Sequence, residues 1–233
     1  MCKKGMGGVR NSEPMQLGFE SAPTCLPKAL RVLPVSEGVL FPFSILEVTI
    51  HKPQDLELVD DTMRSDRLVG VVQSKEIDPS VSEPAFYRTG CLGYVKQFTD
   101  GEDGSYAIKL RGLLRFAITE ELRAGTGYRL CRVDFDRFIS DLPAHREEIA
   151  VNREAVVNTL DRFIAAYPQR IDWDAIHEAS DEILVNGLAI QGPFSRAEKQ
   201  ALLEAPDLNT RARILISLLE FEVTKVTGPS KNL

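Results

Sequence analysis

The hydrophobic period of this chain changes once, near residues 140 to 147, and the change indicates the fold class. From residue 30 to about 140, apolar residues recur mainly at every second position, which is typical of half-buried β-strands. After Pro143 they recur at the spacing of amphipathic helices. We therefore predict an α+β fold, in which a β subdomain over residues 30–142 precedes a helical subdomain over residues 143–226.

The clearest strand runs over residues 106–118. Its even positions are apolar apart from Gly112, whereas its odd positions include Lys109, Arg111 and Arg115. One face of the strand should therefore be buried and the other mostly polar. Gly112 in the middle predicts a bend or bulge, where the sheet curls toward closure.

Two other apolar runs extend the predicted sheet. The run Gly90–Phe98 leads through a Gly- and Asp-rich loop over residues 99–105 into the long strand, which predicts a β-hairpin. The run Leu68–Val72 is continuously apolar, as expected of a strand that is covered on both faces.

The segment over residues 33–50 is apolar but contains Pro34 and Pro42. Because proline has no backbone N–H, we expect this segment to lie at a sheet edge or to leave the sheet in a loop. Its large side chains are Leu40, Phe41 and Phe43. They either seal a core or meet a partner, and a large aromatic such as Phe41 is more often buried.

Four helical patterns are predicted, over residues 53–64, 149–167, 173–188 and 208–223. Pro53 suits the first position of its helix, and Asp172 suits the N-cap of the third pattern. Ser195 and Glu198 fit a capping box, in which each side chain accepts a hydrogen bond from the other residue's backbone N–H. A helix boundary is therefore expected at Ser195.

Composition excludes several classes of protein. The chain has 34 acidic and 28 basic residues and a formal net charge of -6, which argues against a dedicated role with DNA or RNA. Its four cysteines form no C-x-x-C pair, which favours a reduced, cytoplasmic protein. No run approaches the ~18–20 apolar residues of a membrane span. Residues 1–29 are interpreted as a flexible leader, and residues 227–233 as a tail.

No common catalytic motif is present: the sequence has no phosphate-binding P-loop, no nucleophile elbow, no H-E-x-x-H pair and no EF-hand loop. The histidines His51, His145 and His177 are interpreted as structural or solvated residues. We therefore expect neither catalytic residues nor a cofactor or metal site. The basic stripe of Lys109, Arg111 and Arg115 is either solvent-side decoration or a face for an acidic peptide or nucleic acid.

An ordered series of short motifs resembles the N-terminal substrate-binding domain of Lon proteases. The motifs are Leu33-Pro34, Leu40-Phe41-Pro42, Leu58–Asp61, Asp66–Val72, Gly90–Gly93, Leu110–Phe116 and Phe194–Leu208. Together they span roughly residues 30 to 225. The sequence departs from the family pattern at His51-Lys52-Pro53, where only the proline of the usual helix entry is kept.

The resemblance implies a PUA-like, curled β pseudo-barrel followed by a helical bundle. It also implies a module that helps to recognise unfolded polypeptide. Lon proteases continue into an ATPase module and a protease domain with a Ser-Lys dyad, and the resemblance covers neither. It therefore implies a stand-alone, non-catalytic member.

The leading hypothesis is a polypeptide-binding protein that acts as an adaptor or quality-control factor, with a protease or an ATPase as a further partner. The expected peptide contacts are Leu40, Phe41 and Phe43, together with the rim of the curled sheet. The alternative is a nucleic-acid-binding PUA-like module that uses the basic stripe. An unrecognised hydrolase is a third hypothesis.

Overall fold

Strands precede helices along the chain, and the predicted α+β order is confirmed. The computed structural model describes residues 26–36, 38–75, 85–123, 125–142, 150–167 and 172–227. The strands are β1 (Ala29–Val35), β2 (Ile45–Ile50), β3 (Leu68–Ser74), β4 (Phe86–Asp100), β5 (Tyr106–Leu122) and β6 (Arg129–Asp134). The helices are α1 (Pro53–Met63), α2 (Arg153–Ala166), α3 (Trp173–Glu178), α4 (Asp181–Gln191), α5 (Arg196–Glu204) and α6 (Leu208–Thr227). Most of the predicted leader and tail, and residues 143–147 of the predicted boundary near residues 140 to 147, lie outside the described residues.

The sheet curls into a closed ring because β5 pairs with two different strands along the same edge. Its first half, residues 106–111, pairs with β2, and its second half, residues 117–122, pairs with β6. The ring then runs from β6 through β1, β3 and β4 back to β5. β2 lies outside this ring and has one strand neighbour among the described residues, β5. The expected curled pseudo-barrel is therefore present, with β2 as its open edge.

Gly112 is the point at which β5 bends. The register between β4 and β5 shifts there, since Leu92 pairs with Leu114 and Gly93 pairs with Gly112. A Cβ atom on Gly112 would lie 2.0 Å from the carbonyl oxygen of Phe41. The predicted bulge is confirmed, and the absence of a side chain lets the loop after β1 pass close to β5.

The sequence-predicted helix boundaries are confirmed at two caps. Asp172 accepts a hydrogen bond from the backbone N–H of Ala175, and Ser195 and Glu198 form a complete capping box. The pattern over residues 173–188, however, is divided between α3 and α4. The hydroxyl of Ser180 accepts a hydrogen bond from the Ile183 N–H and caps a new helix there, because serine competes with helix-interior hydrogen bonding.

The loop between β1 and β2 lies between the barrel and the helices. Leu40 packs in the barrel core with residues of β1, β3 and β5, whereas Phe41 packs in the core formed by the helices. The two consecutive side chains thus join the barrel to the helical bundle. No described helix is long and apolar enough to cross a membrane.

Candidate functional site

Two of the three peptide contacts expected in the loop after β1 are buried. Leu40 and Phe41 are 1% and 0% exposed, so neither can meet a partner in this conformation. The reason is that the loop is enclosed between the barrel and the helices, with the guanidinium of Arg211 lying 5.0 Å from the centre of the Phe41 ring. Phe43 is half-buried, and its backbone N–H donates to the Gly112 carbonyl at 2.9 Å.

The three residues of the expected basic face lie in different environments. Lys109 pairs with Glu47 of β2 at 2.6 Å, and Arg111 is exposed. Arg115 is 1% exposed, because the register shift at Gly112 places it on the opposite face of the sheet from Arg111, where the α5–α6 turn covers it. The three residues form no shared basic surface, so the basic stripe no longer supports the nucleic-acid alternative.

Arg115 forms a buried clasp between the barrel and the α5–α6 turn. Its guanidinium donates to both oxygens of Asp141, at 2.6 and 2.8 Å. It also donates to the carbonyl oxygens of Leu203, at 2.8 Å, and of Ala205. Asp141 follows β6 in a 3₁₀ turn over residues 136–141, so this one side chain ties three parts of the fold together.

A second buried arginine holds the loop after β1. Arg211 of α6 donates to the Asn186 side chain at 2.7 Å, and the Asn186 amide donates to the Pro42 carbonyl at 3.1 Å. Burial, and then the charge of Arg115, lower the pKa of Arg211 to about 10. These contacts fix the loop that leads into β2, and they stabilise the fold rather than form an accessible site.

An open cleft of roughly 510 Å³ lies beside β2. It is lined by residues 32–36, 47–52, 54–55 and 127–129, which belong to β1 and the turn after it, β2, the start of α1 and the segment that enters β6. The wall near β6 is held in place because the Tyr128 hydroxyl donates to Asp61 of α1 at 2.8 Å. The cleft therefore has fixed walls and an open strand along one side.

The cleft has apolar side chains at its floor and charged side chains at its rim. Val32, Leu33, Val35 and Ile50 are buried, and Val48 is half-buried. His51 and Lys52 lie at the rim where α1 begins, beside Asp55. Burial raises the pKa of the Asp55 carboxyl, while the nearby Lys52 ammonium opposes this rise. Such a surface can hold apolar side chains below and polar groups above.

Side chains that could bind a metal ion are dispersed over the described part of the chain. The described residues contain no cluster of three or more His, Cys, Asp or Glu side chains that could hold a metal ion. His51 is exposed, and His177 is exposed with its Nδ1 atom 2.6 Å from the Trp173 carbonyl oxygen. His145 lies outside the described residues.

Sequence reasoning did not single out the cleft residues of β2. Ile45, Glu47 and Thr49 alternate with the apolar Leu46, Val48 and Ile50, which identifies a half-buried strand. Nothing in that alternation shows that one edge of the strand lacks a neighbour, because strand order is a property of the tertiary structure.

A curled barrel with one open sheet edge, backed by a helical bundle, places the chain in a class of two-part α+β domains. The chain belongs to the family of the ATP-dependent protease La (LON) substrate-binding domain, which matches residues 29–220. Lon protease 2 of Myxococcus xanthus is 27% identical over 204 residues, covering 83% of this chain and 24% of the relative. Lon protease of Anaeromyxobacter dehalogenans is 26% identical over 233 residues, covering 93% of this chain and 26% of the relative. The chain thus spans about a quarter of the length of these relatives.

Two solved structures share the fold. The N-terminal domain of the Mycobacterium avium complex Lon protease superposes with a TM-score of 0.60 at 16% identity, covering 83% of this chain and 98% of that structure. The Lon N-terminal domain protein from Xanthomonas campestris gives a TM-score of 0.58 at 22% identity, covering 81% and 97%. The resemblance seen in the sequence motifs is therefore confirmed.

Proposed function

We propose that this protein binds unfolded or partly folded polypeptide and performs no catalysis of its own. The observation that carries the proposal is membership of the LON substrate-binding domain family over residues 29–220. We further propose an adaptor or quality-control role in the cytoplasm, in which the bound polypeptide is presented to a separate protease or ATPase.

The cleft beside β2 supports this proposal physically. Unfolded chains expose apolar side chains and unpaired backbone N–H and C=O groups, both of which are paired or buried in native proteins. The cleft presents an apolar floor next to a strand edge without a described neighbour. Of the contacts predicted from the sequence, Leu40 and Phe41 are buried, and we propose the rim of the curled sheet as the contact site.

Binding of a permanently unfolded protein tests the function. Fluorescently labelled, reduced and carboxymethylated lactalbumin should bind the full chain, whereas native lactalbumin should not. Val48→Thr keeps a β-branched side chain on β2 but adds a hydroxyl to the apolar floor, so it should weaken binding several-fold.

A matched control changes an apolar residue outside the cleft. Ile183 of α4 is 60% exposed and does not line the cleft, so Ile183→Thr should bind as tightly as the wild type. Absence of binding to the unfolded protein would contradict the proposed function. Equal binding by a folded Val48→Thr variant would exclude the cleft as the contact site.

A further inference from the structure

We infer that the cleft takes up an extended polypeptide segment as an added strand, hydrogen-bonded to the edge of β2 that has no strand neighbour among the described residues. The segment carries apolar side chains at alternate positions. This inference rests on the proposed function and states how the polypeptide is recognised.

The backbone groups of β2 that face the cleft can be assigned from the pairing with β5. The Ser44 carbonyl accepts a hydrogen bond from the Gly112 N–H at 2.9 Å, so this carbonyl faces β5 and the next N–H, that of Ile45, points away from it. Backbone groups alternate in direction along a strand, and β2 pairs with β5 in unbroken register from Ile45 to Ile50. The N–H and C=O groups of Ile45, Glu47 and Thr49 therefore point away from β5. Glu47 and Thr49 line the cleft.

The opposite wall of the cleft cannot accept a strand in the same way. The Lys28 carbonyl of the chain entering β1 accepts a hydrogen bond from the Val133 N–H, so the even-numbered residues of β1 face β6. Pairing with β6 ends at Val32, which leaves Pro34 as the next residue facing that side. Proline has no N–H to donate, and such a residue protects a sheet edge from strand addition.

After Pro34, the next residue on this side of β1 is Ser36, and its carbonyl already accepts a hydrogen bond. Arg196 of α5 donates to the Ser36 carbonyl at 2.6 Å and to the Ser74 carbonyl at 2.8 Å. The two walls of the cleft therefore differ: β1 ends in a proline and a capped carbonyl, whereas β2 keeps outward donors and acceptors. An entering segment should pair with β2.

The apolar side chains at the floor of the cleft determine which polypeptide segments can bind there. Val48 and Ile50 lie on the inner face of β2, opposite Leu33 and Val35 of β1. Every second side chain of an added strand would point to this apolar floor, and the others would point to solvent beside Glu47 and Thr49. Because paired strands rise by about the same distance per residue, a segment of about six residues would run the length of β2. The preferred ligand is therefore a short run of alternating apolar and polar residues, as in an unfolded β-strand.

Peptides with methylated backbone nitrogens test the inference directly. The probe is a fluorescein-labelled peptide of alternating valine and threonine with lysines at both ends. Two versions carry N-methyl groups at either the valine or the threonine positions, so that their composition is matched. An added strand donates hydrogen bonds to β2 from the backbone N–H groups of only one of these two sets of residues. The peptide methylated at that set should lose at least tenfold in affinity, and the other methylated peptide should bind more tightly than it. If methylation at the threonine positions prevents binding, the peptide adds antiparallel to β2. If methylation at the valine positions prevents binding, it adds parallel.

Hydrogen exchange and a proline variant provide independent readouts. When the unmethylated peptide binds, the amides of Glu47 and Thr49 should gain protection, whereas those of Leu46 and Val48 are protected beforehand by β5. Thr49→Pro removes an outward donor without removing a bond to β5, so it should abolish peptide binding while the melting temperature shows that it is folded.

The outcomes separate the two proposals. If unfolded lactalbumin binds but the two methylated peptides behave alike and the Glu47 and Thr49 amides gain no protection, strand addition is wrong while polypeptide binding stands. If the wild type binds neither unfolded lactalbumin nor the peptide, the proposed function itself is wrong.

Discussion

The guanidinium of Arg115 and the carboxylate of Asp141 form a bidentate pair, with N–O distances of 2.6 and 2.8 Å, between the barrel and the helical subdomain. Both side chains are more than nine-tenths buried. The remaining guanidinium hydrogens are taken up by carbonyl oxygens of the α5–α6 turn. The pair therefore links the subdomains through a set of satisfied polar groups rather than through an isolated charge.

Arg115→Met should lower the free energy of unfolding by about 3–5 kcal/mol, because it leaves the Asp141 charge buried without a partner. Urea denaturation of the two proteins measures the difference. Lys109→Met provides the control, since Lys109 and Glu47 form an exposed pair that should contribute less than about 1 kcal/mol. A similar loss in both variants would contradict the assignment of Arg115 as the clasp.

Gly112→Ala should destabilise the protein by about 1–3 kcal/mol, because the added Cβ overlaps the Phe41 carbonyl and must displace the loop. Gly187→Ala is the matched control. Gly187 lies within α4, and a Cβ there would meet no atom within 4 Å, so alanine should stabilise the helix by about 0.5–1 kcal/mol. Thermal unfolding should therefore move in opposite directions for the two substitutions.

Asp55→Asn should raise the melting temperature at pH 7 and leave it unchanged at pH 3. Burial raises the pKa of Asp55, so the folded state holds the proton more tightly than the unfolded state. The contribution of this carboxyl to stability is present below its unfolded-state pKa and is lost as the pH rises through the folded-state pKa. Asparagine has no charge to desolvate and avoids that loss.

Asp103→Asn should show the opposite behaviour. Hydrogen bonds from the Ser105 hydroxyl and backbone N–H lower the pKa of Asp103, so its contribution is present above its unfolded-state pKa and is lost as the pH falls. The variant should be less stable than the wild type at pH 7, and the difference should shrink in acid. Parallel pH profiles for the two asparagine variants would contradict both assignments.

Cys91 and Cys131 should resist a thiol reagent in the native protein. Both are buried, and desolvation raises the pKa of Cys91 to about 12 and that of Cys131 to about 11, which leaves little reactive thiolate at pH 8. A Cys2→Ser, Cys25→Ser double variant should therefore react with Ellman's reagent only after urea is added. Rapid reaction of the native variant would show that the barrel opens at these strands.

Several features of the fold could be predicted because their physical causes are local. The alternation along residues 106–118, the glycine at the bend of β5 and the capping box at Ser195 each depend on neighbours close in sequence. Ser180 shows the limit of such reasoning. Its hydroxyl begins α4, but the apolar stripe that passes through it suggested one uninterrupted pattern.

The sequence by itself determined the α+β order, the prolines and glycine that interrupt the sheet, and membership of the Lon substrate-binding domain family. Only the tertiary structure decided that Arg115 is buried while Arg111, four residues earlier in β5 and on the other side of the bulge at Gly112, is exposed. It also decided that one edge of β2, beside the cleft, has no strand neighbour within the described part of the chain. Hydrophobic periodicity specifies which face of a strand is apolar. The strands that pair with it and the helices that bury it come from distant segments, and those contacts form only when the chain folds.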